Sequence, residues 1–299
     1  MHIVAIINPT SGAGMDPAVA GRRVAFVEEE LRRRELHGSI HLTERAGHAK
    51  ELATAAVSDR ADLVLVWGGD GTLNEVASVA AGRDVAVGII PAGSGNGFAA
   101  ALRIPRDPAA ALSTALDAGE RAIDVGVMGE RPFVNVAGIG ADARIALLFN
   151  QRARGSRGKW PYVSIGLVEG CRYRGQEYTV QLGAETVRRR ALLIAFANGR
   201  EYGMGAILAP HAELDDGLLD AFVVEDRSVL ARFWHARHLA TGSVERAPRV
   251  ITRRIAAGAV ESDEPIQFHV DGEPGLCRGR LEISVRPRAL RVKCPTRLP

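Results

Sequence analysis

A chain of 299 residues with 46% hydrophobic content can bury one large core or two ordinary ones, while Cys171, Cys277 and Cys294 stand too far apart for a disulfide framework or a zinc knuckle. The formal charge of +3, from 38 basic and 35 acidic residues, suits an anionic lipid surface, a nucleotide or simply a solvated exterior, and no nucleic-acid partner is expected. No run approaches the roughly 20 apolar residues of a membrane span, and the apolar run Ile3 to Ile7 is too short and too poor in basic residues for a signal peptide, so the expected location is cytoplasmic.

Along the chain, His2 to Asn8 reads as a β-branched strand that runs into Asn8-Pro-Thr-Ser11-Gly12-Ala-Gly14. This resembles a phosphate loop without its lysine, so a phosphate grip there has to come from backbone amides, Asn8 and Ser11. A helix is expected after Asp16, with Ala20, Val24, Val27 and Leu31 on one face. Ser39 to Thr43 is a short strand candidate, and Ala49, Leu52, Ala53 and Ala56 mark the next helix.

Leu63 to Val66 is apolar without alternation, as in a strand buried on both faces of a parallel sheet. Trp67 follows, then Gly68-Gly69-Asp70-Gly71, and a helix pattern from Thr72 with Leu73, Val76, Ala77 and Ala80 on one face. The glycines let main-chain N–H groups approach an anion at a helix N-terminus. A carboxylate among such amides makes sense where a divalent cation mediates, although Asp70 as a plain helix cap is the simpler alternative. Val85 to Ile90 is another buried strand, ending in Pro91-Ala-Gly93-Ser94-Gly95-Asn96-Gly97-Phe98. Phe98 occupies the last position of a G-x-G-x-x-G fingerprint, so a dinucleotide motif is rejected. Ala99 to Leu102 and Pro108 to Ala118 are expected helices. Glycine loops that repeatedly follow a strand and precede a helix predict a doubly wound α/β domain with its ligand along one sheet edge.

Beyond about residue 123 the texture changes to short alternating runs. Ala122 to Val127, Pro132 to Val136, Tyr178 to Leu182, Ala191 to Ala197, Leu218 to Val224, Ile266 to Val270 and Leu281 to Val285 are strand candidates, with helices expected around Ala141 to Phe149 and Val229 to Ala240. A basic loop with aromatics, Arg152 to Tyr162, suits a membrane interface. The second half is thus expected to be a mostly antiparallel, β-sandwich-like domain.

Several ordered stretches carry a resemblance: NPTSGAG from Asn8, GGDGTLNE from Gly68, PAGSGNGFA from Pro91, NVAGIGADA from Asn135, GMGAILAPHAELDDGLLD from Gly203, and VDGE from Val270. Together they resemble the diacylglycerol kinase catalytic-domain family of lipid kinases, which includes the sphingosine and ceramide kinases. The resemblance implies an ATP-binding α/β domain over 1–123 plus 288–299 and a lipid-binding domain over 124–287. It implies transfer of the γ-phosphoryl group of MgATP to a primary hydroxyl of a membrane lipid. On that resemblance Asn8, Ser11, Gly12, Thr43, Gly68, Gly69, Asp70, Gly71, Thr72, Leu73, Gly93, Ser94, Gly95 and Asn96 line the nucleotide. Asp70 holds magnesium through water, Asp124 supports that network or orients the acceptor, and Asp271 and Glu273 project from the Asp-Gly-Glu turn. Glu273 is the preferred base and Asp70 its rival. A structural magnesium is implied at Asp216, with the main-chain carbonyls of Glu213 and Leu218.

The resemblance further implies a peripheral enzyme at the inner face of the membrane, with a homodimer as one arrangement. Many diacylglycerol kinases have Thr and an acid where this chain has Ser94 and Gly97, which brings it nearer the sphingosine and ceramide branch. Two other readings are a NAD kinase, which shares the Gly-Gly-Asp-Gly-Thr loop, and a nucleotide- or lipid-binding protein without turnover. The NPTSGAG opening and VDGE argue against the first, and the joint presence of Asp70, Asp124, Asp271 and Glu273 against the second.

Overall fold

The computed structural model describes residues 1–12, 17–93, 95–152, 172–203, 206–228, 232, 238 and 242–295. The chain divides into two compact units, Met1–Ile123 with Arg288–Pro299, and Asp124–Pro287.

In the first unit, β1 (His2–Ile7), β2 (His37–Leu42), β3 (Leu63–Gly68) and β4 (Ala86–Pro91) pair in parallel in the order β2-β1-β3-β4, and Arg291 and Val292 of the last strand add to β4. Every residue of β3 and β4 is buried, which is why these strands read as unbroken apolar runs. β2 is the edge and has no fully buried residue, so its sequence is more polar. The helices are α1 (Pro17–Arg33), α2 (His48–Ser58), α3 (Asp70–Ala80), α4 (Gly97–Ala101) and α5 (Pro108–Asp117). α3 buries the expected stripe Leu73, Val76, Ala77 and Ala80. α5 starts where the Asp107 carboxylate accepts the Ala110 N–H at 2.9 Å and Pro108 takes the first turn. The chain leaves β1 for β2 on one side and returns to β3 on the other, so the strand order reverses beside β1, where such sheets open a crevice for ligands.

The second unit holds β5 (Glu120–Met128), which enters from the first, then β6 (Arg131–Phe133), β7 (Val136–Gly140), α6 (Ala141–Arg152), β8 (Gln176–Leu182), β9 (Glu185–Ala197), β10 (Glu201–Gly203), β11 (Ala206–Ile207), β12 (Leu219–Glu225), β13 (Val250–Ile255), β14 (Ala257–Val270) and β15 (Glu273–Lys293). Pairing is antiparallel throughout the unit's registers. β9 and β14 each pair with β8 over one half and with β7 over the other, β14 shifting register between Ser262 and Ile266. Two long strands thereby serve two sheet faces, and the core closes between them with Phe133, Ile139, Tyr178, Ile194, Phe196 and Ile266. The architecture is an α/β domain followed by an antiparallel β-sandwich-like domain.

The single strand expected over Pro132 to Val136 is instead two, β6 and β7, because the backbone at Val134 and Asn135 bends to donate to a carboxylate. β10, β11 and β13 are additional, and β14 and β15 run well past the expected ends. Their exposed stretches carry paired charges rather than apolar residues, as where Arg253 donates to Glu185 at 2.8 Å, so alternation alone does not mark them. The basic loop past the end of α6 lies outside the described residues, as does the helix expected over Val229 to Ala240 apart from Arg232 and His238.

Candidate functional site

In the first unit the glycine-rich turns after β1, β3 and β4 pack on one another. The Asn8 N–H donates to the Trp67 carbonyl at 2.8 Å, and the Ala92 N–H to the Gly68 carbonyl at 2.8 Å. The Asn8 side chain is a clasp: its Nδ2 donates to Thr72 Oγ1 at 2.9 Å, while its Oδ1 accepts from the Thr10 N–H at 3.0 Å. Gly69 lies so near Gly93 that an added Cβ would come within 3.1 Å of its Cα. At Gly12, whose φ is +76°, a Cβ would run into the Ala92 carbonyl oxygen. Gly12→Ala is therefore expected to push the first and third loops apart and cost about 2 kcal/mol of stability. Urea unfolding checks this, and an unchanged midpoint would contradict the loop packing.

Asp70 opens α3, with Gly69 as N-cap in extended conformation. Its Oδ2 accepts the Asn96 N–H at 2.8 Å, tying the second loop to the third. Asn96 stands at φ +54°, and its side chain closes the third loop by accepting from the Gly93 N–H at 2.8 Å and donating to the Gly93 carbonyl at 2.6 Å. Ser11, Thr43 and Thr72 are buried beside these turns, and Leu73 points into the core. Gly95 packs against Asp70, and Gly71 lies in the first turn of α3. Ser94 lies outside the described residues.

Two residues that motif reading passes over hold this arrangement. The Arg23 guanidinium donates to the carbonyls of Asn8 and Ser11, both at 2.7 Å, and lies 5.4 Å from the centre of the Trp67 ring, so it takes up carbonyls that would face an anion unfavourably. Burial lowers its pKa from the usual arginine value. Glu75, the last letter of GGDGTLNE, accepts the Gly47 N–H at 2.9 Å and the Lys50 N–H at 3.3 Å, capping α2 from a neighbouring helix.

In the second unit, Asp271 and Gly272 form the two-residue turn between β14 and β15, with φ of +47° and +87° and Val270 opposite Glu273. That is the primed hairpin that Asp-Gly favours. The Asp271 carboxylate is committed: Oδ2 accepts the Val134 N–H at 2.8 Å, and Oδ1 accepts those of Asn135 at 3.0 Å and Val136 at 2.9 Å. Glu273, at the start of β15, is exposed. Asp124 is fully buried and accepts the Gly217 N–H at 2.6 Å, while Asn198 donates to the Asp124 and Val134 carbonyls, both at 2.9 Å. Asp124 therefore anchors the turn that carries Asp216.

The Asp216 carboxylate, expected to hold a structural magnesium together with the main-chain carbonyls of Glu213 and Leu218, has protein partners on both oxygens. One carboxylate oxygen accepts the Leu218 N–H at 2.9 Å and the other pairs with the Arg254 guanidinium, while Glu213 is exposed. Among the described residues no group of three or more His, Cys, Asp or Glu is placed to hold a metal ion. Nearby Asp220, 3.9 Å from Arg254, has its carboxyl pushed up to about 6, by burial first and then by Glu245, with His211 pulling the other way. A folded pKa above the ordinary 3.8 means a stability contribution complete below that value and lost as pH rises through about 6. Asp220→Asn is expected to melt above the unmodified protein at about pH 7.5, with the gap closing by about pH 4. Parallel melting curves at both pH values would reject this.

Residues 2–128 match the family described as the diacylglycerol kinase catalytic domain, and residues 135–294 the YegS C-terminal NAD kinase beta sandwich-like domain. A diacylglycerol kinase of Mycobacterium tuberculosis is 32% identical over 98% of this chain and 95% of that relative. One from Staphylococcus aureus is 29% identical over 90% of this chain and 85% of its own length. The fold is shared with the crystal structure of a candidate diacylglycerol kinase from Bacillus anthracis str. Sterne, at a TM-score of 0.81 and 21% identity over 98% of this chain and 95% of the other. A second B. anthracis diacylglycerol kinase structure matches at 0.73, with 19% identity over 98% of this chain and 96% of the other.

Proposed function

The chain belongs to the diacylglycerol kinase family and is a lipid kinase, and from that premise we propose that it transfers the γ-phosphoryl group of ATP to the primary hydroxyl of diacylglycerol or of a sphingoid or ceramide-like acceptor. The observation that carries the reading is the convergence of the loops after β1, β3 and β4 on the N-terminus of α3, with Asp70 in its first turn. Main-chain amides there suit a phosphate tail. Asp70, a hard oxygen donor, suits the magnesium that ATP brings, and that ion would offset phosphate charge.

Phosphoryl transfer asks the protein mainly for alignment and charge neutralisation. As the acceptor oxygen bonds to the γ-phosphorus and the bond to ADP breaks, the hydroxyl proton has to leave, and Glu273 takes it. Asp271, with its oxygens given to backbone amides, sets the turn rather than accepting that proton. Asp124 likewise supports a loop.

The acceptor is taken from the surface of a bilayer at its cytoplasmic face. Among the described residues no helix is long and apolar enough to cross a membrane. Leu276, 62% exposed on β15, gives an apolar contact beside Arg278 that suits peripheral attachment.

An acceptor panel tests the reading: MgATP with micelles of diacylglycerol, sphingosine or ceramide, and with NAD in solution, each product identified by mass spectrometry. Phosphorylated lipid is the expected result. Phosphate found on NAD alone would replace this reading with the NAD kinase one, which the description matched by residues 135–294 keeps in view. ATP binding without any phosphorylated acceptor would favour a binding protein.

A further inference from the structure

A buried histidine–aspartate pair of the second unit lies directly behind the Asp-Gly-Glu turn, and the mechanism above does not use it. His269 of β14 and Asp142 in the first turn of α6 have side chains only 7% and 5% exposed, and the ring Nε2 meets Asp142 Oδ2. Space for the pair is built into β7: Gly138 stands opposite His269 in the β7–β14 register, and a Cβ there would run into Asp142 Oδ2 and come within 2.7 Å of His269 Nε2. The other ring nitrogen, Nδ1, lies 3.1 Å from the Gly272 N–H. That N–H can only donate, so Nδ1 must accept, and a neutral imidazole that accepts at Nδ1 carries its proton on Nε2, toward Asp142. Asp142 thus selects the tautomer, and the tautomer holds the middle of the turn whose next residue is Glu273.

We propose that His269, oriented by Asp142 in the hole left by Gly138, is a positioning residue that fixes the Gly272 amide and with it the place of Glu273. The proposal rests on the lipid-kinase reading for its consequence in turnover, but the bond to Gly272 is testable without it. Different side chains hold the two turn residues: the Asp271 carboxylate ties the first to the β6–β7 bend, and His269 ties the second. The groups facing the ring are Asp142 from α6, Asp271 from the turn and Arg131 from β6. Burial opposes a charged ring, Asp142 and then Asp271 favour it, Arg131 opposes it, and the balance raises the pKa above the ordinary 6.5. An imidazolium donates from both nitrogens, so acidification through that range removes the acceptor for Gly272.

Two substitutions separate this role from space filling. In His269→Asn the side-chain oxygen can stand where Nδ1 was and keep the acceptor. In His269→Gln the amide reaches the Nε2 position instead and takes this acceptor away from Gly272. The measurements are kcat and the KM for ATP with diacylglycerol micelles, the pH profile of kcat, and amide exchange across the turn. His269→Gln is expected to lose about 10–100-fold in kcat, as misplacement of a reacting group does, with the KM for ATP within about twofold and faster exchange at Gly272 and Glu273. His269→Asn is expected to keep kcat within about fivefold and protection of the turn, and to lose the part of the acid limb that lies above the carboxylate range. Equal kcat and equal exchange in the two variants would overturn the proposal, since the ring would then only fill space. Should His269→Gln fail to fold, His269→Asn decides: an acid limb unchanged from the unmodified protein rejects the role. If no lipid is phosphorylated by the unmodified protein, faster exchange of the turn in His269→Gln still supports the anchor, and unchanged exchange removes it.

Discussion

Asp70→Ala is expected to lower lipid phosphorylation by about 10³-fold or more while the protein still folds, because the change removes an acid that the converging loops bring to a helix N-terminus. The structural cost includes the charge-assisted bond from the Asn96 N–H at 2.8 Å, which is about 1.5–3 kcal/mol. Asp70→Asn sharpens the result. Its oxygen can still accept from Asn96, so the third loop stays in place and only the charge is lost. Both variants should give the far-ultraviolet circular dichroism of the unmodified protein and a loss of kcat of similar size. Turnover within about tenfold of normal in Asp70→Asn would take the carboxylate out of the chemistry.

Glu273→Gln is expected to lower kcat by about 10²–10⁴-fold, the usual range for removing a positioned base, with the KM for ATP little changed. The residue is exposed and follows a turn anchored elsewhere, so the substitution leaves the hairpin intact. Asp271→Asn behaves differently. It weakens a carboxylate that accepts amides from Val134, Asn135 and Val136, and should lower the melting temperature as well as turnover. A kcat for Glu273→Gln equal to that of the unmodified protein would remove Glu273 as the base and return that role to Asp70.

How far these features could be read from sequence depended on whether their physics is local. β3 and β4 are buried on both faces, so their apolar runs announce them, and the glycines that follow mark the turns without any tertiary information. The edge strand β2 and the charged strand β13 lack that signature. Side chains acting at long range were legible only as motif letters. Asp271 finds its amide donors 135 to 137 residues upstream, and Glu75 caps a helix that begins before it, 28 residues upstream at Gly47. Nothing in a string distinguishes an acid that takes a proton from one that organises a backbone. The sequence places Asp271 and Glu273 two residues apart, and the hydrogen bonds around the turn distinguish their settings. His269 shows the same limit, since its two partners come from α6 and from the turn it precedes.

In the proposed site, amides from the loops after β1, β3 and β4 grip the phosphates of ATP together. Amide hydrogen exchange with and without MgATP tests it most directly on the full chain. The expected result is new protection concentrated at Asn8 to Gly12, Gly68 to Leu73 and Ala92 to Gly97, and much reduced in Asp70→Ala. Protection confined to other segments, or none at saturating MgATP, would rule out that grip.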